Sequence, residues 1–452
     1  MKNSFKELQD FRVVGPVGAT GIIVASMVGS GIFSLTGQFG AKLGTSQNIL
    51  AAWIIGGVLA LCGGLSLAEL GAMIPCSGGS VEFARRAFGG TIGYLVAMVS
   101  IFCGYFLSLA VIGLLLGEYV NQLLPTPVSI GWIASLAIVA AFVSQIFGLH
   151  AGYRFNTALS CVKFGFVALF VFAGLLWPIS SRMAAPALSE TVTHPGMISA
   201  AVASATLTVS FAYLGWAAGA DIAGDMKRPG RNVPLSIITA IVLVFAIYIG
   251  VNIVYLRVID PAAMLNADGT PMQAIGGVAA RLLFGTAVGN AMAAVIALLF
   301  FSTIVSGIIT GARIIESMAH SREIPAWIGV RLANGVPMRA LIVLMVASLA
   351  SLAIGNLDDI LGLLTVLINI FSSLSVAAVI VLRKTMPDAP RPFRVPFYPV
   401  TPILSIVLAV WSIAISVMDG GLNAIIASVA AVAILLLIKP LIMIRKFGTS
   451  LR

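Results

Sequence analysis

Charge is what this chain has least of. Only 9% of its 452 residues are Asp, Glu, Lys or Arg, while 60% are hydrophobic. A water-soluble fold of this length needs a polar shell that such a composition cannot supply. Histidine and cysteine are scarce as well, with three and four residues. His150, His194 and His320 are scattered over loop positions, and Cys62, Cys76, Cys103 and Cys161 show no paired spacing. No metal site, disulfide or cofactor is therefore expected. The chain has no His-Glu-x-x-His sequence and no triad at one membrane depth, which speaks against a membrane enzyme. A channel would need a polar or charged ring along a pore, and the apolar stretches carry too few such residues.

What is present in abundance is long apolar runs. They lie near residues 17–39, 48–73, 91–120, 129–148, 156–177, 198–222, 234–256, 285–318, 339–355, 360–382, 400–418 and 421–443. Runs of about 20 residues match the ~30 Å hydrocarbon layer, and the short alternating segments of a transmembrane barrel are missing. The expected fold is an all-α polytopic membrane protein of about twelve transmembrane helices. Of the 26 Lys and Arg residues, 21 fall on one side of this layout, four on the other, and Lys163 lies inside a span. That bias places both termini in the cytoplasm and makes the net charge of +10 topological, so no nucleic-acid partner is expected. The polar start and the length of the first span argue against a removable signal peptide. The Met-Lys start without transit-type composition points to a bacterial inner membrane.

Two spans are interrupted. The first carries Gly29-Ser30-Gly31 near mid-membrane, and the sixth carries Gly215, Gly219 and Gly224 after an aromatic cluster. An unwound stretch frees backbone N–H and C=O groups, which must line a cavity or meet a ligand. The N-terminal end of a half-helix suits a carboxylate, and freed carbonyls suit an ammonium group or a cation. An α-amino acid carries both. Close helix packing is the competing reading for Gly215 to Gly219, Gly113 to Gly117 and Gly307 to Gly311. Breaks in spans one and six fit two five-helix repeats of opposite topology. Layout alone supports the repeat, since no residue-level similarity between the halves is evident.

Four segments, in order, resemble the amino acid–polyamine–organocation superfamily of amino-acid permeases, from about Phe11 to Lys446. They are Gly29-Ser30-Gly31-Ile32-Phe33; Ala68-Glu69-Leu70 with Pro75, Gly78-Gly79 and Ala84-Arg85-Arg86-Ala87-Phe88-Gly89; Phe211 to Trp216 with Asp225-Met226-Lys227-Arg228-Pro229 and Arg231-Asn232-Val233-Pro234; and Arg391-Pro392-Phe393-Arg394-Val395-Pro396 with Tyr398-Pro399. The resemblance implies a cytoplasmic N-terminus over 1–16, an inverted-repeat transport core of helices 1–10 over 17–395, and peripheral helices 11 and 12 with a short C-terminus over 396–452.

It also implies site residues. The amides of Ser30 and Gly31 would hold a substrate carboxylate, with Gly29 allowing close approach. The carbonyls of Met27, Phe211 and Leu214 would take the ammonium group, with Gly215 and Gly307 in the same substrate set. Phe211 would close as a lid, unless it is an ordinary packing residue. Lys163 stands in an apolar stretch, where an ammonium is costly and functional by default, although snorkelling from the helix end is the alternative. In relatives a lysine there takes the place of a sodium ion, and here it would reach toward Ser302 and Ser306. Such a lysine suits proton coupling and sodium-independent exchange equally.

Glu69 and Glu316 fall near cytoplasmic helix ends beside clusters containing Arg85, Arg86 and Arg313, as gate or structural ion pairs. Glu118, at the outer end of its helix, is expected to be solvated. Relatives that exchange arginine for its decarboxylated product carry an acid where this chain has Ala217, which favours a neutral amino acid over an amine or polyamine. The expected partners are an amino-acid substrate, the bilayer and, under proton coupling, protons.

Overall fold

The computed structural model describes the chain except residues 1–13, 30, 77, 147–164, 180–181, 185–195, 197–198, 267, 321–322, 331–336, 356, 417, 419–421 and 449–452. Among the described residues the structure is helical, with three isolated β-bridges and no sheet. Among them six helical stretches, one of them the interrupted run Pro16–Leu43, are long and apolar enough to cross a membrane, and a seventh span forms from a pair bent by 48°. The chain is thus an all-α multi-pass membrane protein.

The first apolar run is two helices, α1 (Pro16–Met27) and α2 (Gly31–Leu43), separated where Val28 leaves helical geometry. Pro16 opens α1 at a position where its missing N–H costs nothing. Helix α3 (Ser46–Met73) starts at Thr45, whose hydroxyl caps the Asn48 amide at 3.2 Å. The short helix α4 (Gly79–Phe88) follows, then α5 (Gly90–Asn121), which contains a π-helical turn over Phe102–Leu107. Next come α6 (Ile130–Ile146) and α7 (Gly165–Leu176).

The bent span is α8 (Ala200–Ala212) with α9 (Leu214–Asp221). Helix α8 begins on a Ser199 cap and stops at Tyr213, which has φ −88° and ψ 0°. The second half holds α10 (Pro229–Val258), the short α11 (Ile275–Phe284), α12 (Thr286–His320), α13 (Met338–Ser351), α14 (Leu357–Thr385), α15 (Val400–Ser416) and α16 (Leu422–Gly448).

One local unit occurs twice. Ala84-Arg85-x-x-Phe88-Gly89 leads to Gly93, and Ala280-Arg281-x-x-Phe284-Gly285 leads to Gly289. Each ends a ten-residue helix, α4 or α11, and turns into a long one, α5 or α12. The turn glycines have φ of +87° and +86°, a region that favours glycine, and their amides bond the carbonyls of Arg85 and Arg281. The second glycine gives room to the arginine in both copies: a Cβ at Gly93 would lie 2.7 Å from Arg85 Cβ, and one at Gly289 would overlap Arg281.

The chain's loop contacts hold α2 under α11. A Cβ at Gly37 would run into the Met272 carbonyl, and one at Gly40 into Met264. Tyr119 of α5 donates to the Phe33 carbonyl at 2.6 Å and accepts from the Gly276 amide at 3.1 Å. Residues 31–40 of α2 are all buried as a result. In contrast, α1 leaves Val17, Gly18, Gly21, Ile22 and Ser26 exposed along one side.

Candidate functional site

The two helix breaks meet. Gly31, the first residue of α2, packs on Ala212, the last of α8: a Cβ at Gly31 would lie 2.7 Å from Ala212 Cβ. Gly215 in α9 packs on the backbone of Ser26 and Met27, which a Cβ there would overlap. Backbone approaches this close are what glycine permits in unwound membrane segments. Gly219, one turn on, is filled against by Ile23 and Ile237, so the pair Gly215 and Gly219 serves contact between α9 and its neighbours.

Gly29 differs. It is half-buried, and a Cβ there would meet only the Met27 carbonyl, at 3.9 Å. Among the described residues, the break in the first span therefore leaves space at this residue. Met27 is buried at the end of α1, Phe211 is buried in the last turn of α8, and Leu214 is half-buried at the start of α9. Ser30 and Lys163 lie outside the described residues.

A tyrosine that sequence reasoning passed over sits between the breaks. The hydroxyl of Tyr248, on α10, lies 2.7 Å from the Met27 carbonyl and 2.9 Å from the Ala212 carbonyl. Its ring is fully buried and packs edge-on against Trp53 and Tyr213, with centroids at 5.2 and 5.0 Å. Beside it, Asn252 accepts from Thr36 at 2.5 Å, and Trp53 donates to Thr36 at 3.0 Å, so α2, α3 and α10 are tied together. On α14, Asn369 donates to the Ser210 hydroxyl of α8 at 2.6 Å. Nothing in the sequence pattern marks Tyr248 or Asn369, because their partners Met27 and Ser210 are 221 and 159 residues away and Ala212 is 36.

The α12 candidates form a separate group. The Ser306 hydroxyl donates to the Ser302 carbonyl at 3.0 Å, the ordinary back-bond of a helical serine. Gly307 gives room to Leu109 of α5, 2.8 Å from where its Cβ would be.

The charged candidates gather at the end of the bundle rich in Lys and Arg. Glu69, in α3, is fully buried. It accepts from Arg383 at 2.8 and 2.5 Å and from the Val395 amide at 2.7 Å, and Arg391 Nε lies 3.3 Å away. Its basic partners are thus Arg383 and Arg391, and Arg85 and Arg86 are engaged elsewhere. Arg86 donates to Glu82 at 2.7 Å, and Arg85 pairs with Glu323, just past α12. Arg391 also donates to four carbonyls between Leu382 and Ala389, so the Arg-Pro-Phe-Arg-Val-Pro segment is folded around a carboxylate from α3. Glu316 is buried on α12, and the side chain of Arg313 lies outside the described residues. Glu118 is half-buried, on the same stripe of α5 as the half-buried Leu114 and Asn121.

Asp221 ends α9 and caps α4. Its carboxylate accepts from the Ser80 amide at 3.0 Å and the Ser80 hydroxyl at 2.7 Å, while its carbonyl accepts from the Gly78 amide at 2.9 Å. The chain before α1 joins the same end: the Val14 amide donates to Asp225 and the Lys227 amide to Val14, at 3.0 and 2.9 Å. Three of the segments singled out in the sequence are therefore neighbours in space. Among the described residues no cluster of three or more His, Cys, Asp or Glu could hold a metal ion, and Cys62, Cys76 and Cys103 are free thiols. Cys76, beyond the end of α3, has its thiol pKa pushed up by burial first and by the nearby Glu82 and Asp221 charges, so it is a poor nucleophile.

Residues 14–438 match the family model described as amino acid permease. The chain is similar to the serine/threonine exchanger SteT of Bacillus subtilis, with 27% identity over 409 residues, 87% of this chain and 89% of that one. It is 26% identical over 397 residues to the large neutral amino acids transporter small subunit 2 of Mus musculus, covering 85% and 72%. It is 27% identical over 416 residues to the mouse b(0,+)-type amino acid transporter 1, covering 89% and 82%. These relatives are transporters by name and not enzymes. The chain belongs to the amino acid permease family, within the amino acid–polyamine–organocation superfamily, and is a membrane carrier for amino acids.

Proposed function

We propose that this permease carries neutral L-amino acids by alternating access, without sodium, through a site at the meeting point of the two helix breaks. The observation that supports this most is the junction itself. Gly31 against Ala212 and Gly215 against Ser26 and Met27 hold two unwound backbones together, while Gly29 has no close neighbour among the described residues. Backbone groups there recognise the carboxylate and ammonium that all amino acids share, through the amides of Ser30 and Gly31 and the carbonyls of Met27, Phe211 and Leu214. Phe211 then covers the substrate. Relatives named for serine, threonine and large neutral amino acids, together with Ala217 in place of an acid, favour an uncharged side chain.

The layout reads as twelve spans. Seven come from the long and bent helices, and five from the shorter apolar helices α6, α7, α13, α15 and α16. The remaining short helix, α11, mirrors α4, and the repeated Arg-x-x-Phe-Gly turns follow the second and seventh spans. A separation of five spans is what two inverted five-helix repeats require, with helices 11 and 12 outside them. With the basic end in the cytoplasm, the exposed side of α1 and the buried α2 correspond to an inward-facing carrier closed on its outer side.

Lys163 stands in for a coupling ion, either shuttling a proton or fixing a permanent charge. Uptake of a panel of labelled amino acids into proteoliposomes, with and without an inward proton gradient, tests both parts for the wild type and Lys163→Ala. Entry of neutral amino acids, with gradient dependence or all transport lost in the variant, supports the reading. Absence of uptake and exchange for every amino acid tested contradicts it.

A further inference from the structure

Helix α3 is buried along most of its length except for one stripe. Between Ala51 and Ala72 the residues that are not buried are Ile54, Ile55, Val58, Leu61 and Leu65. Ile54, Val58, Leu61 and Leu65 recur at helical spacing, which places them on one side of the helix. Two neighbours flank that side. Gly57 and Gly64 face Phe245 and Ile241 of α10, which a Cβ at either glycine would overlap. Gly63 faces Ser405 of α15, whose hydroxyl donates to the Leu59 carbonyl at 3.3 Å. The stripe is therefore the floor of an apolar groove, with α10 and α15 as its walls. Both walls are apolar on their outer sides as well: Leu235 and Val242 of α10 are exposed, and so are Phe397, just before α15, and Leu404 within it.

One end of the groove is basic. There a Cβ at Gly71 of α3 would lie 3.0 Å from Val233 of α10, and the Val395 amide, on the segment entering α15, donates to Glu69 of α3. The loops that lead into α10 and α15 touch at the same end, since a Cβ at Gly230 would lie 2.8 Å from Pro392. They carry Lys227, Arg228, Arg231 and Arg394, all exposed and none in an ion pair among the described residues. By contrast, Arg85, Arg86, Arg383 and Arg391 are each matched to a carboxylate. The exposed acids of the two loops are Asp225 and Asp388, too few to balance the cations. The segment before Val14 brings no net negative charge either, with Lys2, Lys6 and Arg12 against Glu7 and Asp10. Arg231 stands one helical turn before the exposed Leu235 and two before the half-buried Ile238, so it heads the α10 wall.

We infer that this groove binds an anionic phospholipid from the leaflet at the basic end, with its phosphate on Arg231 and Arg394 and an acyl chain along the α3 stripe. Basic side chains at a membrane surface attract anionic headgroups, and a guanidinium meets a phosphate through two parallel donors. An apolar floor that ends in unmatched arginines fits a molecule with an acyl chain and a phosphate. The phosphate joins the loop that follows the bent span to the segment folded around Glu69. The inference does not depend on which solute the protein carries.

The test reconstitutes the protein in vesicles of equimolar phosphatidylcholine and phosphatidylglycerol, extracts it in mild detergent and counts the retained lipids by native mass spectrometry. The wild type is expected to keep phosphatidylglycerol in preference to phosphatidylcholine. Arg231→Gln and Arg394→Gln should each lower that preference about fivefold, and Arg231→Lys, which keeps the charge, by no more than about twofold. The control is Arg339→Gln, which removes an exposed cation at the start of α13, a helix that packs on α5, α6 and α12. Its preference should match that of the wild type. Equal retention of the two lipids by the wild type overturns the inference. So does a preference that survives both Gln variants, or one that falls as far in Arg339→Gln, which would make it an effect of bulk charge. A dimer free of phosphatidylglycerol also overturns it, by placing a second copy over the groove. The wild-type comparison is read without any variant, so a variant that misfolds leaves the test decided by the remaining proteins.

Discussion

The carboxylate of Asp221 accepts two hydrogen bonds from Ser80, one from its amide at 3.0 Å and one from its hydroxyl at 2.7 Å. A residue from the end of one broken span thereby caps the first turn of a helix more than a hundred residues earlier in the chain. A carboxylate at a helix N-terminus satisfies free amides and complements the helix dipole. Because α4 is also joined to the end of α12 through Arg85 and Glu323, it connects the second half of the bent span to the rest of the bundle.

Asp221→Ala is expected to lower the turnover of transport more than substrate affinity, and to destabilise the protein by about 1–2 kcal/mol as a lost cap does. Asp221→Asn keeps the acceptor oxygen and should fall between Ala and wild type. Thermal unfolding in detergent and the KM and Vmax of exchange, measured on the same preparations, check this ordering.

The Arg85–Glu323 pair is half-exposed, with 42% and 18% of the side chains accessible, so its loss should cost stability no more than about 1 kcal/mol. Its effect is expected on rate. Arg85→Glu slows exchange, and the double variant Arg85→Glu with Glu323→Arg recovers most of it. Failure of the swap to restore the rate would show that the pair does not link α4 to α12.

Glu69 presents the opposite case. It is fully buried with two arginines and a backbone amide around it, and removing one side of such an arrangement leaves uncompensated charge. Glu69→Ala is expected to destabilise by about 3–5 kcal/mol, enough to prevent accumulation of folded protein. Arg383→Lys cannot reproduce the two-pronged contact at 2.8 and 2.5 Å and should lose part of that stability. Yield of monodisperse protein and its unfolding temperature measure both effects.

The glycines at the breaks should divide by what surrounds them. Gly215→Ala forces a methyl into the Ser26–Met27 backbone, so folded yield and transport should fall together. Gly31→Ala meets the Ala212 side chain, which has no flexible end to move aside, and is expected to follow it.

Sequence reasoning reached the long helices because their apolar runs have the length of a membrane crossing. The run at 48–73 became Ser46–Met73, and the interruption at Gly29-Ser30-Gly31 coincides with the gap between Met27 and Gly31. The second break was harder. It falls at Tyr213, whose backbone angles any residue can adopt, while the glycines that drew attention, Gly215 and Gly219, are packing positions. The partners of Glu69 are 314 and more residues away, so no local pattern could choose Arg383 and Arg391 over the nearer Arg85 and Arg86. The π-turn in α5 likewise has no sequence signature in Phe102–Leu107. The repeated Ala-Arg-x-x-Phe-Gly unit does not stand out in the letters, because six residues among dissimilar neighbours gain meaning only when both copies end a ten-residue helix at a positive-φ glycine.

The central claim is that substrate occupies the open space at the first break, and Gly29→Val tests it most directly. Among the described residues a Cβ at Gly29 meets no atom closer than the Met27 carbonyl at 3.9 Å, and its φ lies outside the region that demands glycine. The side chain therefore enters the space where the substrate would sit. The account predicts a variant that unfolds at the wild-type temperature but neither binds nor exchanges labelled neutral amino acids. Exchange at the wild-type rate by folded Gly29→Val would contradict it, because the substrate would then have to bind elsewhere.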